Sequence, residues 1–330
     1  MPLDFLSANL ARQNIIIGIR EFFAQQDFQE ITVPLLWESV PLEPTIYPFA
    51  TQWQVNKRPK NLFLPISPEK SMKQYLAHGA QKCFTISHCF RNLEGISNSH
   101  HPEFLMLEWY RPDTDYSQIM TDTKDLIVYL SQKLHQRTTI AYQTKKFNLS
   151  HWQTLSLEDL WLAKWQTSLA DLQNHSALAT FAQKLGYQVE NSTWEQLFNQ
   201  IMLNEIEVDF PLEPFFLLDF PAQLSPLCAL SQKRPWCAQR FEAYINHLEI
   251  GNGNSEMLDA QAIRQAFTKQ FQLRHQVNQI VQPIDEKFLQ AIVKMQQNGQ
   301  TFAGMGLGVD RLTMILNDIA DISVLWPKLN

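Results

Sequence analysis

Basic residues are in the minority in this sequence. Its 27 Lys and Arg are outnumbered by 33 Asp and Glu, which gives a formal net charge of -6 over 330 residues. A broad nucleic-acid surface needs many Lys and Arg side chains opposite the phosphates. The charge balance therefore disfavours non-specific nucleic-acid binding, although it leaves room for a local basic patch.

Cysteine is scarce and lacks the spacing of a metal site. The four cysteines form no Cys-x-x-Cys motif, and no pair of them lies near a histidine at zinc-site spacing. They are Cys83, Cys89, Cys228 and Cys237. We interpret them as reduced thiols that are mostly buried, the usual behaviour of free cysteine.

Long apolar runs are absent as well. The longest, "NIIIGI" and "FFLL", are too short to span a bilayer, and the N-terminal Met-Pro-Leu-Asp is not typical of a signal peptide. Repeats, low-complexity stretches and flexible linkers are also missing. We expect a cytoplasmic protein without a membrane partner.

We further expect a single domain over residues 1–330, with a mainly helical variable segment at about 140–210.

Apolar periodicity and end signals predict the elements of secondary structure. Helices are predicted at residues 7–26, 67–79, 117–136, 156–166, 175–185, 194–204, 259–278 and 285–298, and at the end of "GMGLGVDRLTMIL". Strands are predicted in "EITVPLLW", in "PFFLLDFP", in "FEAYINHLEIGN" and on both sides of a polar loop within 84–110. Residues 41–60 read as irregular. The first helix should bury Leu10, Ile17, Phe22 and Phe23, and Ser192 with Glu195 should form a capping box.

The stretch "FRNLEGISNSHHPEFLMLEWY" concentrates ionisable groups between large apolar residues. Strand alternation in "EFLMLEWY" places Phe104, Met106, Glu108 and Tyr110 on one face. A carboxylate on such an apolar face needs a cationic partner, and Arg91 lies on the partner strand. The alternative is an edge hairpin with a solvated charged loop.

Two further segments carry candidate site residues. "HLEIGNGNSEMLDA" sets Glu249 and Glu256 around what we interpret as a glycine turn, where both carboxylates could hold Mg²⁺ or an ammonium group. The alternative is a surface turn that leads into a helix cap. In "AGMGLGVDRL" a glycine-rich strand would let a ligand approach closely, with Arg311 at the start of an apolar helix. The spacing fits neither the Rossmann nor the Walker pattern.

Together these segments resemble a known family. "FRN…HHPEF…E" resembles motif 2 of the class II aminoacyl-tRNA synthetases, and "GMGLGVDRL" resembles their motif 3. "EGIS…HPEF" and "LEIGNGNSE" are similar to lysyl-tRNA synthetases, and "EITVPLL" with Pro34 resembles the end of motif 1, the dimer element. The resemblance runs from about residue 10 to 326. It implies an α+β fold with an antiparallel sheet flanked by helices, and a homodimer.

One branch of that family matches in size. "EFLMLEWYRP" and "GVDRL" resemble the elongation factor P–(R)-β-lysine ligases, which are relatives of lysyl-tRNA synthetase without an anticodon-binding domain. We expect no N-terminal OB-fold, because the first predicted helix begins at residue 7. The resemblance implies ATP and Mg²⁺ as cofactors, a lysine-like diamino acid as substrate and elongation factor P as partner. It does not favour tRNA as a partner.

The resemblance also implies roles for individual residues. The substrate carboxylate would attack the α-phosphorus of ATP, and a lysine of elongation factor P would then attack the adenylate. Catalytic roles fall on Arg91, Glu249 and Arg311. ATP would be bound by Arg91, Asn92, Glu94, His100, His101, Phe104, Glu249, Ile250, Gly308 and Arg311. The amino acid would be bound by Ser67, Glu69, Glu108, Tyr110, Asn254, Glu256 and Gly306. The metal would be held by Glu249 and Glu256, and adenine would lie between Phe104 and Arg311.

Several positions depart from the family pattern. Leu93 reads as an insertion that makes Glu94 the counterpart of the usual glutamate, and His101 replaces an asparagine. The motif 2 loop has Asn98 and Ser99 where an arginine is usual.

Two more departures lie in the specificity pocket: Asn254 replaces a phenylalanine, and Gly306 replaces the alanine of β-lysine ligases. These changes leave α-lysine, β-lysine and other diamino acids open as substrates. Three alternatives to the elongation factor P ligase also remain: a truncated lysyl-tRNA synthetase-like enzyme with a tRNA or another acceptor, an asparagine synthetase-like enzyme that uses ammonia, and an inactive paralogue that binds amino acid and ATP.

Overall fold

The computed structural model describes residues 4–44, 46–55, 58–93, 95, 97–276, 280 and 282–327. Its helices are α1 Phe5–Ala24, α2 Glu69–Ala77, α3 Tyr116–His135, α4 Leu157–Trp165, α5 His175–Lys184, α6 Trp194–Ile201, α7 Ala260–Gln276, α8 Glu286–Gln297 and α9 Val309–Leu316. Its strands are β1 Gln29–Glu30, β2 Ala50–Val55, β3 Arg58–Phe63, β4 Cys83–Phe90, β5 Glu103–Pro112, β6 Thr139–Tyr142, β7 Lys145–Asn148, β8 Gln153–Ser156, β9 Phe215–Leu218, β10 Arg240–Ile245, β11 Leu248–Ser255 and β12 Phe302–Gly308.

A large sheet organises the fold. Eight strands follow the order β1-β4-β5-β12-β11-β10-β9-β8, and the six central strands pair antiparallel. Only β1 against β4 and β8 against β9 run parallel among these eight strands. The prediction of an α+β fold with an antiparallel sheet flanked by helices is confirmed.

The main core lies on one face of this sheet. Helices α1, α3 and α9 pack there, and β5 contributes Leu105, Leu107 and Trp109 to that core. The intervening residues of β5 point to the opposite face, as the two-residue period of a strand requires. The predicted common face of residues 104, 106, 108 and 110 is confirmed, because all four line one cavity.

Helix α1 forms as predicted, but its buried face differs from the prediction. Ile15, Ile19 and Phe22 follow the three- and four-residue spacing of one helical face and are buried. Leu10 is 57% exposed and Ile17 is 48% exposed. These two residues lie seven apart on the other side of the helix, so the chain has a second apolar stripe that this core does not cover.

Strand boundaries differ from the predictions at several places. Within "EITVPLLW" only Glu30 lies in a strand, as the last residue of β1. Residues 41–60, predicted irregular, contain β2 and the start of β3. The residues of β2 are nearly all exposed, so this hairpin lacks the alternating apolar signal that would predict it. "FEAYINHLEIGN" is two strands, not one. They are joined at Asn246 and His247, which have φ of 52° and 59°, the backbone of a two-residue hairpin turn.

Residues 140–210 contain β6, β7 and β8 besides α4, α5 and α6. The capping box lies one residue later than predicted, between Thr193 and Gln196. Helix α6 continues into a π-helical turn over Met202–Ile206, and this segment builds a second core around Trp161, Trp194 and Phe198. The segment thereby carries the end of α6 to the cavity face of the sheet.

Two expectations from the sequence concern the state of the cysteines and membrane-spanning helices. The cysteines are free and buried, as predicted. In the described part of the chain, we find no helix with the length and apolar character needed to cross a bilayer.

Candidate active site

A cavity of about 500 Å³ opens on the sheet face away from α1, α3 and α9. Strands β5, β12, β11 and β10 form its floor, and the end of α6 lines one side. Most of the residues predicted to form the site line it: Ser67, Glu69, Arg91, His100, His101, Phe104, Glu108, Tyr110, Glu249, Ile250, Asn254, Gly306, Gly308 and Arg311. The three sequence segments therefore meet in one place.

Glycines of β12 leave space above the centre of the floor. Gly306 pairs with Glu108 on β5 and with Asn252 on β11, and Gly304 pairs with Tyr110. A Cβ atom on Gly304 would lie 2.5 Å from the Tyr110 ring, so this position requires glycine. Because Gly304 and Gly306 of β12 have no side chain on the cavity face, polar groups from β5 and β11 face one another across this strand.

One end of the cavity is acidic and contains a buried cation that sequence reasoning missed. The Lys73 ammonium is fully buried and forms ion pairs with Glu69 and with Glu256. Burial opposes the charge on Lys73, but Glu256 and Glu69 outweigh it and raise the pKa of the ammonium. The i,i+4 spacing of Glu69 and Lys73 on α2 was the available sequence signal.

Glu108 and Tyr110 form the rest of the acidic end. The Tyr110 hydroxyl donates to Oε1 of Glu108 at 2.9 Å, and both side chains are buried. Burial, followed by the charge of Glu69, raises the pKa of Glu108 well above its usual value. A cation that enters beside Glu108 would favour its ionised form, so the acidic end is suited to an ammonium group.

Arg311 joins the motif 2 loop to β11 at the other end of the cavity. Its guanidinium donates to the carbonyl oxygens of Glu249 at 2.6 Å and Ser99 at 3.3 Å. A further nitrogen lies 2.9 Å from Nε2 of His100. Arg311 and His100 were both predicted to contact ATP, and the structure brings them into direct contact.

Arg91 lies over the ring of Phe104, with its guanidinium carbon 5.2 Å from the ring centroid. Its Nε atom is 3.5 Å from the carbonyl oxygen of Ile66. Phe104 and Arg311 both line the cavity, but the adenine sandwich predicted for them stays a prediction.

Asp310 holds the start of α9 in place, a role that sequence reasoning did not assign. Its Oδ2 accepts the backbone N–H of Leu105 at 2.8 Å, and its Oδ1 accepts from Arg12 at 3.0 Å. The Arg12 guanidinium lies 4.6 Å from the ring centroid of Trp326, and the His101 ring stacks on the same Trp326 ring. Arg311 is therefore positioned by contacts to α1 and β5 that lie far away in the sequence.

Strand β10 contributes a second missed pair, Arg240 and Glu242. The guanidinium of Arg240 binds Oε1 of Glu242 at 2.8 Å, and the Tyr244 hydroxyl donates to Oε2 at 2.7 Å. Burial, with a contribution from Glu249, raises the pKa of Glu242 to about 7. Polar residues at alternate positions of the apolar strand "RFEAYI" were the signal for this pair.

The carboxylates present fit a Mg²⁺ ion that arrives with a nucleotide. Among the described residues, no group of three or more His, Cys, Asp or Glu side chains could hold a metal ion by itself. Mg²⁺ usually binds one or two carboxylates and completes its shell with phosphate oxygens and water. Glu249 and Glu242 both line the cavity and could supply those carboxylates.

The glycine turn predicted between Glu249 and Glu256 is wrong, and the metal site predicted for these two glutamates stays a prediction. Gly251 and Gly253 lie inside β11, and the two glutamates stand near opposite ends of that strand. Glu256 is buried against Lys73 and is not among the described residues that line the cavity. Its side chain instead accepts a hydrogen bond from Asn254 at 3.1 Å.

The remaining predicted residues, Asn92 and Glu94, belong to the motif 2 loop. The Asn92 N–H donates to the carbonyl of Tyr47 at 2.8 Å, and Asn92 is not among the described residues of the cavity wall. Leu93, interpreted as an insertion, has φ of 65° and is largely exposed. Glu94 lies outside the described residues. Its proposed contact with ATP stays a prediction.

Comparison with known proteins identifies the class. Residues 5–329 match the family of class II tRNA synthetases (D, K and N). The chain belongs to this family, whose members are ATP-dependent ligases that generally use Mg²⁺.

Within the class, the chain is similar to lysine–tRNA ligases. It is 30% identical over 326 residues to the lysine–tRNA ligase of Pasteurella multocida, covering 97% of this chain and 64% of that protein. It is 32% identical over 325 residues to that of Erwinia tasmaniensis, covering 96% of this chain and 62% of that protein. The match to the enzyme of Carboxydothermus hydrogenoformans is 30% over 322 residues, with coverage of 96% and 64%. The chain thus spans less than two thirds of the length of these relatives.

Proposed function

We propose that this protein is an ATP-dependent ligase. It activates (R)-β-lysine or a similar diamino acid as an adenylate and transfers it to a lysine ε-amine of elongation factor P. The observation that carries the proposal is a single cavity that has Glu69, Glu108 and Tyr110 at one end and Arg91 and Arg311 at the other. Because the proposed acceptor is a translation factor, we also propose a cytoplasmic location.

The charge distribution supports adenylate formation. The substrate carboxylate would approach Arg91, whose planar fork suits both a carboxylate and an α-phosphate. That carboxylate attacks the α-phosphorus, and pyrophosphate leaves with the electron pair of the broken phosphorus–oxygen bond. Arg91 and Arg311 stabilise the charge that develops, and the strands hold the reactants in line. Mg²⁺ bound at Glu249 and Glu242 would neutralise phosphate charge.

The acidic end supports a substrate with two ammonium groups. Glu69, Glu108 and Glu256 share the single positive charge of Lys73. Carboxylates in a buried site are tolerated when they are paired, and two substrate amines would complete the pairing. An amino acid without a side-chain amine would leave buried carboxylates unpaired and should be rejected strongly.

The specificity pocket is compatible with a diamino acid of altered shape. Asn254 hydrogen-bonds Glu256 instead of presenting an apolar surface to the substrate methylenes. Gly306 leaves the space that an alanine methyl would fill, since its Cβ would lie 3.3 Å from Sδ of Met106. Both features widen the pocket, so we include α-lysine beside (R)-β-lysine in the test.

A lysyl-tRNA synthetase-like reaction is the second candidate. The identity of about 30% to lysine–tRNA ligases favours it, and the first chemical step would be the same. The two candidates differ only in the acceptor, a protein amine or a tRNA hydroxyl. Intact Arg91 and Arg311 in the cavity argue against an inactive paralogue.

We also propose a homodimer that uses the exposed stripe of α1. Phe5, Leu6, Leu10 and Ile17 are each about half exposed or more. Neighbouring exposed apolar side chains of this kind mark a protein contact more often than an isolated one does.

Amino-acid-dependent ATP–pyrophosphate exchange tests the first step. We expect exchange with (R)-β-lysine or α-lysine and none with aspartate. Purified elongation factor P and tRNA are then offered separately to the protein with ATP and the active amino acid. A mass gain on elongation factor P supports the proposal, whereas charging of tRNA alone supports the second candidate. Absence of exchange with every diamino acid would refute both.

A further inference from the structure

Glu43 is a carboxylate of the cavity that belongs to none of the three motif segments. It lies between β1 and β2, lines the cavity and is partly buried. Four other carboxylates of the cavity have polar or charged partners: Glu69 has Lys73, Glu108 has Tyr110, Glu242 has Arg240 and Glu249 has Arg311. Within the part of the chain that the structure describes, the Glu43 carboxylate forms no ion pair or hydrogen bond.

The backbone that carries Glu43 is held firmly. Arg274 of α7 is buried and donates to the carbonyl oxygens of Glu43 and of Ile46, the latter at 2.7 Å. The same guanidinium lies 4.4 Å from the ring of Tyr47. The Tyr47 carbonyl accepts the N–H of Asn92, which ties this segment to the motif 2 loop. Glu43 therefore has a defined place beside the reacting end of the cavity.

The charges that face Glu43 come from Glu69, Arg91, Arg240 and Lys73. Burial and then Glu69 raise the pKa of Glu43 to about 7, and Arg91 opposes that rise. A carboxyl group with a pKa near neutrality can take and release a proton during turnover.

A diamino acid does not account for this carboxylate. Glu69, Glu108 and Glu256 are three carboxyl groups beside the one ammonium of Lys73, so two of them are left for the two amines of the substrate. Glu43 and Arg91, the group expected to hold the reacting carboxylate, line the same cavity. The hydrogen bond from Asn92 to Tyr47 ties their two segments together, so Glu43 lies on the side of the cavity where a second nucleophile must attack. A third ammonium group would enter the cavity there.

We propose that Glu43 binds the ammonium group of the acceptor and takes a proton from it in the transfer step. This inference rests on the proposed function. Loss of that proton gives a neutral amine, whose nitrogen forms a bond to the carbonyl carbon of the adenylate. The bond from that carbon to the phosphate oxygen breaks, and AMP leaves with the electron pair. The second proton of the nitrogen passes to solvent, and Glu43 returns its own proton to solvent.

The test separates activation from transfer with two acceptors. Nα-acetyl-lysine amide presents an ammonium group, whereas hydroxylamine is uncharged at neutral pH and needs no base to become a nucleophile. The full chain with Glu43→Gln is compared with wild type in ATP–pyrophosphate exchange and in single-turnover transfer to each acceptor. Glu38→Gln is the control, because Glu38 is an exposed carboxylate of the same segment.

We expect Glu43→Gln to slow transfer to Nα-acetyl-lysine amide by about 100-fold, the lower range for loss of a general base. Exchange and hydroxamate formation should remain at the wild-type rate, and Glu43→Asp should give an intermediate transfer rate. Glu38→Gln should behave as wild type in every assay.

Four results would overturn the inference. Equal transfer by wild type and Glu43→Gln would show that Glu43 takes no part. An equal loss of exchange and of reaction with hydroxylamine would assign Glu43 to amino-acid binding or to structure. The same conclusion would follow if both Glu43 variants failed to fold. Absence of exchange by the wild-type protein would instead refute the proposed function, and this inference with it.

Discussion

Replacing Lys73 with methionine tests the electrostatics of the acidic end. The methionine side chain is similar in length to that of lysine and fills most of the same space. The main change is therefore the loss of a fully buried charge between Glu69 and Glu256. Removing one partner of a buried ion pair typically costs about 3–5 kcal/mol. We expect that loss in the free energy of unfolding near pH 8.

The pH dependence of this loss has a definite sign. Burial already raises the pKa of Glu256 to about 7 in the folded protein, where Lys73 opposes that rise. Without Lys73 the pKa of Glu256 in the folded state should lie higher still. A carboxyl group with a raised folded pKa stabilises the fold at low pH, and that contribution is lost as the pH rises through the folded pKa. The difference between wild type and Lys73→Met should therefore shrink from about pH 8 to about pH 5.

Urea unfolding at several pH values measures this effect. Lys70→Met is the matched control, because Lys70 is equally buried and pairs with Asp285 away from the cavity. The control should be destabilised without a change in the diamino acid needed for half-maximal exchange, whereas Lys73→Met should lose exchange. A destabilisation below about 1 kcal/mol, the size of a surface pair, would refute the role given to Lys73.

Three further predictions concern the floor, the nucleotide and the dimer. Gly304→Ala should destabilise the fold by about 1–3 kcal/mol in thermal unfolding, because its Cβ would overlap the Tyr110 ring. Gly306→Ala should fold and should shift the ratio of pyrophosphate exchange with α-lysine to that with (R)-β-lysine. Equal behaviour of the two variants would contradict the geometry. Arg311→Ala should raise the KM for ATP in exchange about 10-fold or more, and an unchanged KM would undo its assignment to the nucleotide. Leu10→Glu should convert a dimer into a monomer in sedimentation velocity, and a wild-type monomer would refute the proposed interface.

The candidate site was predictable where its signals are local. Alternation along β5 was enough to place Glu108 and Tyr110 on one face, and proline and glycine marked the ends of α2. Lys73 and Glu242 also had local signals, a helical i,i+4 spacing and a strand alternation. They were missed because an isolated polar residue in an apolar element is common on an exposed face.

Other parts of the site had no local signal. Asp310 anchors Arg311 through Leu105 and Arg12, which are brought to it only by packing of α9 against β5 and α1. The glycine turn predicted between Glu249 and Glu256 was wrong because two glycines in a short polar stretch are compatible with a turn and with a central strand. Sheet neighbours decide between these structures, and they come from distant parts of the chain.

The sequence alone determined the class of fold, through the resemblance of its motifs to the class II synthetases. It also located the strands that carry the motif residues, because strand alternation and helix ends depend on neighbouring residues. Only the tertiary structure decided which carboxylates are paired and which stay open. Lys73 meets Glu256 across 183 positions of the chain, and Arg274 of α7 holds the backbone carbonyl of Glu43, a residue that lines the cavity. Burial and ion pairing depend on distances in space, so the electrostatics of the site follow from the tertiary structure and not from the sequence pattern.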